Sequence, residues 1–384
     1  MTSASDESML RWQTARAARL AALPWLHTDT SGPGAVRYVR DELLVAPGHE
    51  ASARAVLTEL GADASQISSA PAALGFVRLT APGADVAAAS RTLRAQAGDG
   101  VAGPHHVFVS SPFEMGGPFG PPTAVGRTAL PAGPAPDATI RAVVVDTGIW
   151  RDSPLPSGWY EAATGDYDDT LAEHADTGHA NFITGVLMTH TDNARVRIVR
   201  VLDANGICTE AALADALVAL ADDDVDLVNL SLGGFSHGDS PPALLSAALA
   251  RVLENRDRAV VAAAGNEGSA GHPYWPAAFA GTTLPFARKV VAVAAHNGSQ
   301  VCTWSNTGPW VTLTAPGSDI VSTYVTHASF PSGFARWSGT SFAAPFVVAA
   351  IAASRAGVET IAEAVAAVRE QAAARSFSGY PGIQ

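Results

Sequence analysis

Three polar residues stand where packing alone does not call for them. Asp146 closes the apolar run Val143-Val-Val-Asp146 and is followed by Thr147 and Gly148. A carboxylate at the end of a buried strand is costly unless it is paired or hydrogen-bonded, so it needs a partner from elsewhere in the chain. His179 lies in Gly-His-Ala-Asn-Phe-Ile-Thr-Gly-Val (178–186), near the start of a helix whose Ala180, Thr184 and Gly185 allow close packing. Ser341 lies in Ser-Gly-Thr-Ser-Phe-Ala-Ala-Pro (338–345), at the mouth of an almost wholly apolar helix. Its hydroxyl there faces free N–H groups and the positive helix end, and Pro345 reads as still within the region that tolerates a missing amide. A carboxylate, an imidazole and a hydroxyl are the groups on which nucleophilic catalysis draws. One at a time, they also read as a strand-end cap, a core histidine and a helix cap.

The elements that must hold these residues follow from periodicity. Short apolar runs at 142–145 (AVVV), 196–202 (VRIVRVL), 225–232 (VDLVNLSL), 259–264 (AVVAAA) and 289–295 (KVVAVAA) predict parallel strands buried on both faces. Between them, Glu210 to Leu220 and Ala243 to Glu254 repeat apolar residues at helical spacing, which gives a doubly wound α/β sheet. Sites in such sheets gather at the carboxyl ends of strands. Asp146, Ser231 with Gly233, and Asn266 all fall at such ends. Ahead of this part, 37–46, 74–81 and 105–110 predict strands and 49–61 and 84–97 predict helices, a small α+β unit. Glycine and proline crowd 112–136, which predicts an exposed linker without regular elements. The expected organisation is a helical N-terminal extension at 1–34, an α+β domain at 35–111, a linker at 112–137 and an α/β domain at 138–384.

With Asp146, His179 and Ser341 in that chain order, each in its own motif, the chain resembles the subtilisin-like (subtilase) serine proteases over about residues 140 to 355. Further motifs fall in the family's order. Val-Asn-Leu-Ser-Leu-Gly-Gly (228–234) resembles the substrate-binding strand, with Ser231, Leu232 and Gly233. Ala-Ala-Ala-Gly-Asn-Glu-Gly (262–268) resembles the segment with Gly265 and the oxyanion-hole residue, here Asn266. Tyr274-Trp-Pro-Ala277, Trp304-Ser-Asn-Thr-Gly308 and Ala315-Pro-Gly317 follow. The two positions after His179, usually glycine and threonine in the family, are Ala180 and Asn181, a departure that bears on helix packing and specificity. The resemblance implies a serine endopeptidase that works through an acyl-enzyme. Ser341 would be the nucleophile, His179 the general base, and Asp146 the group that fixes the imidazole tautomer. Asn266 and the Ser341 N–H would hold the oxyanion, and the Ser231 to Gly233 edge would pair with extended polypeptide substrates. Glu267 resembles a position at the rim of the primary specificity pocket, where it would favour a basic or polar residue.

The resemblance requires no cofactor for catalysis. Structural calcium is common among such proteins, but no ligand pattern transfers here, and Asp222, Asp223 and Asp224, like Asp166, Asp168 and Asp169, read as solvated acidic runs. The α+β unit resembles the family's ferredoxin-like propeptide domain. It implies a self-inhibited precursor (zymogen) whose own N-terminal domain blocks the cleft until cut between about Ser111 and Asp137; the alternative is a permanent packing or substrate-recruiting domain.

Composition sets the limits. A net charge of -12 and a pI near 5.3 argue against a sequence-independent nucleic-acid binder. Two cysteines, Cys208 and Cys302, are too few for a disulfide scaffold and read as packing residues. The longest apolar stretch, Phe342 to Ala353, is short for a membrane span. The N-terminal Leu20-Ala-Ala-Leu-Pro-Trp-Leu26 is broken by Pro24, so the expected location is the cytoplasm, with secretion as the alternative. Two rival functions use the same residues: a binding module or pseudoenzyme on the same fold, and an esterase or acyl-transfer enzyme with the same nucleophile.

Overall fold

The computed structural model describes residues 14–384 except 16, 33, 111–120, 132, 169–175 and 204. Its N-terminal part contains strands β1 (Leu26–Asp29), β2 (Val36–Val45), β3 (Ser68–Pro71), β4 (Val77–Thr80) and β5 (Ala102–Ser110), with helices α1 (Glu50–Glu59) and α2 (Val86–Ala97). The strands run in the order β5-β2-β4-β3 with antiparallel pairing throughout, and β1 pairs with β2. Strand alternation divides the residues of β2 between two cores. Leu43 and Val45 pack with Val56, Leu57 and Leu93 of the helices. Leu44 points the other way and joins Phe76 and Phe108 against the second half of the chain.

Strand β1 lies inside the stretch expected to be a helical extension, which is corrected here. Helical residues stop at 21, and Leu26 then pairs with Val39, its side chain joining Leu20, Val107 and Ile207. The apolar faces of so short a helix and strand are buried together, and tertiary packing overrides local preference.

The second part adds β6 (Thr123–Ala124), β7 (Ile140–Asp146), β8 (Tyr160–Glu161), β9 (Ala194–Arg200), β10 (Ile207–Thr209), β11 (Leu227–Leu230), β12 (Leu232–Gly233), β13 (Ala259–Ala263), β14 (Val290–His296), β15 (Leu313–Pro316), β16 (Ile320–Thr323) and β17 (Phe334–Trp337). Two short strands near the C-terminus, β18 (Ser376–Phe377) and β19 (Tyr380–Pro381), pair with each other. The helices are α3 (His179–His190), α4 (Glu210–Leu220), α5 (Ala243–Leu253), α6 (Thr340–Ser354) and α7 (Ile361–Ala373). The main sheet runs β15-β14-β13-β11-β7-β9-β8 and is parallel throughout. One face packs on α3, α6 and α7, the other on α4 and α5. The chain leaves β7 toward β9 and returns to β11 on the opposite side, so the strand order reverses beside β7, where ligands of such sheets bind.

Three expectations change. The expected linker contributes β6, which pairs with β17. Thr340–Gly357 is long and apolar enough to cross a membrane by length and composition, yet it is the central core helix and largely buried. Strand β5 does not stop at the boundary of its own unit. Its last residues insert between β10 and β12, so that Val109 faces Ile207 on one side and Gly233 on the other. All nine residues of β5 are buried.

The contact is polar as well. His106 Nδ1 lies 3.0 Å from Glu210 Oε2, both side chains buried, and the His237 N–H donates to His106 Nε2. Glu210 Oε1 accepts from Leu245 N, so one carboxylate ties β5 to α4 and α5.

Candidate active site

Asp146, His179, Ser341 and Asn266 meet at the carboxyl ends of β7, β11 and β13. Asp146 is fully buried and accepts at Oδ1 from the Thr147 N–H at 2.7 Å and from His179 Nδ1–H at 2.6 Å. Its main-chain carbonyl accepts from Val201 and Leu202, which fixes the strand end from which the side chain projects. His179 opens α3 after Gly178, whose φ of 86° suits glycine; a Cβ there would meet Val325 Cγ1 at 2.6 Å. The imidazole packs edge-on to Trp337 and beside Phe342. With Nδ1–H committed to Asp146, Nε2 carries the lone pair, and it has no hydrogen-bond partner among the described residues.

Ser341 is held by a reciprocal pair of bonds. Its Oγ donates to the Ser231 carbonyl at 3.0 Å, and Ser231 Oγ donates to the Ser341 carbonyl at 2.8 Å. The second bond corrects the expectation for Pro345, which is the sixth residue of α6 and so lies beyond the first-turn amides that need no partner. The amide that Pro345 lacks would have bonded to the Ser341 carbonyl four residues back. Ser231 Oγ takes its place.

Asn266 has one orientation. Its Oδ1 accepts from the Thr340 N–H at 2.9 Å and from Thr340 Oγ1 at 3.0 Å, while Thr340 Oγ1 accepts from Gly265 N. Nδ2 is therefore the free end of the amide, buried and without a partner among the described residues. Gly265 has φ of 97°, and a Cβ on it would meet Asn306 Nδ2 at 2.3 Å. Leu232 and Gly233 form β12 and pair with Ser110 and Val109 of β5.

The carboxyl of Glu267 is pushed up to about 7 by burial, which outweighs a hydrogen bond from Asn306 Nδ2 and the nearby charge of Arg37. Arg37 belongs to β2, so the N-terminal unit sets a cation toward Glu267. The acidic run is occupied by arginines: Asp222 pairs with Arg251, Asp223 with Arg197 and Asp224 with Arg141. Asp166 accepts from Arg200 N and Ala163 N, and Asp168 pairs with Arg200; Asp169 and Ser111 lie outside the described residues. Among the described residues no group of three or more histidine, cysteine or acidic side chains forms a metal site. Cys208 and Cys302 are buried free thiols; burial pushes both up, Cys302 to about 12.

Sequence reasoning missed Thr340 and Asp176, and it singled out Asn181 without finding its contact. Thr340 orients Asn266, and its place directly before Ser341 was the available signal. Asn181 Oδ1 accepts from Trp150 N and its Nδ2 donates to Trp150 O. This clamps the turn after Asp146, so the departure from the family pattern at Asn181 serves the site. Asp176, three residues before His179, lies against β5 and gave no signal.

The family model described as the subtilase family, peptidase S8, matches residues 140–374. A thermophilic serine proteinase of Bacillus sp. (strain AK1) is 33% identical over 229 residues, covering 55% of this chain and 51% of that protein. Thermitase of Thermoactinomyces vulgaris is 29% identical over 265 residues, covering 64% of this chain and 88% of that protein. The chain thus spans about half the length of the first of these relatives. Among solved structures, one titled as a lanthipeptide protease has a TM-score of 0.52 at 20% identity and covers 64% of this chain and 85% of its own. A cold-adapted subtilisin-like serine proteinase has a TM-score of 0.50 at 23% identity, over 68% of this chain and 93% of its own. Both likenesses concern the fold.

Proposed function

Since the chain belongs to the subtilase family, we propose that it is a serine endopeptidase made as a self-inhibited precursor. The observation that carries this reading is the carboxylate–imidazole bond of Asp146 and His179, with the imidazole packed on Phe342 next to Ser341 and Asn266 bonded to Thr340 just before it. A serine hydroxyl is a poor nucleophile at neutral pH. In the reaction the Ser341 hydroxyl turns away from the Ser231 carbonyl, His179 Nε2 takes its proton, and Oγ bonds to the peptide carbonyl carbon. The oxyanion so formed receives hydrogen bonds from Asn266 Nδ2 and the Ser341 N–H. Collapse breaks the C–N bond as His179 returns the proton to the leaving amine. Water then hydrolyses the acyl-enzyme with His179 again as base, and Asp146 stabilises the imidazolium throughout. No cofactor enters any step.

The inhibited state is supported by the placement of β5. It pairs with β10 and β12 as an extended substrate would by strand addition, and Asp146, His179 and Ser341 are all fully buried. The test combines a serine-directed covalent probe with intact-mass measurement of the wild type and Ser341→Ala after long incubation. Expected are a shortened wild-type chain that carries the probe on Ser341 and an unlabelled variant that stays at full length. No label on Ser341 in either the full-length or the shortened chain sinks the protease reading. A labelled wild type that never shortens sinks only the precursor reading. Turnover of activated esters without peptides would favour an esterase.

A further inference from the structure

We propose that Asp176 is a specificity-determining residue of this cleft, selecting peptides with a short hydroxyl side chain on the residue just before the one whose carbonyl is attacked. The inference rests on the protease reading above.

The register fixes which residue this is. Ser110 stands opposite Leu232 in an antiparallel pair, and Ser231, one position back, presents the carbonyl to which Ser341 Oγ donates. A peptide on the same path therefore brings to Ser341 the residue that follows the one at the place of Ser110. At that place Ser110 Oγ donates to Asp176 Oδ1 at 2.9 Å, both side chains being almost fully buried, and the Ser110 N–H donates to the Gly206 carbonyl. Gly206 closes the subsite from above. A Cβ on it would lie 2.5 Å from Asp176 Cγ and 2.6 Å from Ser110 Oγ, so there is space for a hydroxyl and little more.

Asp176 is anchored apart from its side chain, because its carbonyl accepts the His179 N–H that starts α3. The carboxylate consequently has a fixed position relative to the imidazole whether or not a peptide is bound. A hydrogen-bond acceptor in a desolvated pocket rewards a donor and penalises its absence, since the acceptor is then left buried without that bond. A carboxylate at the place of Ser110 is disfavoured more strongly still, because it brings a charge and no donor into a buried site.

The experiment uses the expressed full chain after incubation, assayed on three peptides that differ only at this position: serine, alanine and aspartate. For the wild type, kcat/KM is expected to fall about tenfold from serine to alanine and at least a further tenfold to aspartate. In Asp176→Ala the serine-to-alanine ratio should collapse toward one. Asp176→Asn keeps an acceptor, so it should retain much of that ratio while recovering turnover of the aspartate peptide, and it serves if the alanine variant fails to fold. A purely structural role would lower all three substrates together and leave the ratios unmoved, which overturns the assignment. Equal turnover of the three peptides by the wild type overturns it too while leaving the protease reading intact, whereas no peptide turnover by the wild type removes both.

Discussion

Asn266 shows how one side chain is aimed by another. Thr340 spends its N–H and its hydroxyl proton on Asn266 Oδ1, so that Nδ2 can face only the cleft. Asn266→Ala should lower kcat by about 10²- to 10³-fold with KM little changed, a magnitude taken from this family's oxyanion asparagine and not from the geometry; steady-state kinetics on a peptide check it. Thr340→Val removes the hydroxyl bond but keeps the N–H bond to Oδ1, so Nδ2 is less firmly aimed and a smaller loss in kcat, about tenfold, is expected. Glu267 gives a pH-dependent prediction. Its carboxyl is raised from 4.5 to about 7, so the folded chain binds a proton more tightly than the unfolded chain. Its contribution is fully present below about 4.5 and is lost as pH rises through about 7. Glu267→Gln should therefore flatten the stability profile across that window and gain on the order of 1–3 kcal/mol over the wild type at pH 8, as read by denaturant unfolding. Asp146 and His179 were legible because each sits in a motif beside its own strand or helix. Asp176 was not, because its partner Ser110 lies 66 positions away and is joined to it only by the fold.

At the level of elements, α3 and α6 place the imidazole and the hydroxyl, and each owes its position to a close approach. A Cβ added at Gly185 would lie 2.3 Å from Thr323 Oγ1 and 2.4 Å from Ser322 Oγ, on the β16 side of α3. Gly185→Val should destabilise by about 1–3 kcal/mol, seen as a lower melting temperature, and reduce activity by moving His179. Ser231→Ala removes the hydroxyl that takes the place of the Pro345 amide and leaves the Ser341 carbonyl without that donor. A loss of about 1–3 kcal/mol in thermal unfolding is expected, and Ser231→Thr, which keeps the donor, should lose less. The long strands were readable from sequence because they are nearly continuous apolar runs of valine and alanine, as in Val290–His296. Strands β1, β3 and β6 were not, being two to four residues of ordinary composition that are strands only through their neighbours.

Across the whole molecule, sequence reading separates two folded parts, whereas the structure runs one strand through both. The reason is that β10 and β12 are only three and two residues long and pair with a segment roughly a hundred positions earlier. Pairings of such short strands at that distance leave no local pattern. That strand also has a consequence in mass action. While the chain is intact, β5 is tied to the strands β10 and β12 with which it pairs, and its effective concentration there is on the order of millimolar, unaffected by the volume of solution. A cut between β5 and β7 turns the same contact into an association of two molecules. The cut protein should then gain specific peptidase activity as it is diluted below the dissociation constant of its former N-terminal part, while the uncut chain stays equally inactive at every concentration. A dilution series on both forms, read with one fluorogenic peptide, measures this directly. On the precursor reading proposed above, the covalent connection sets when the cleft opens, and thereafter the amount of protein in a given volume sets how far.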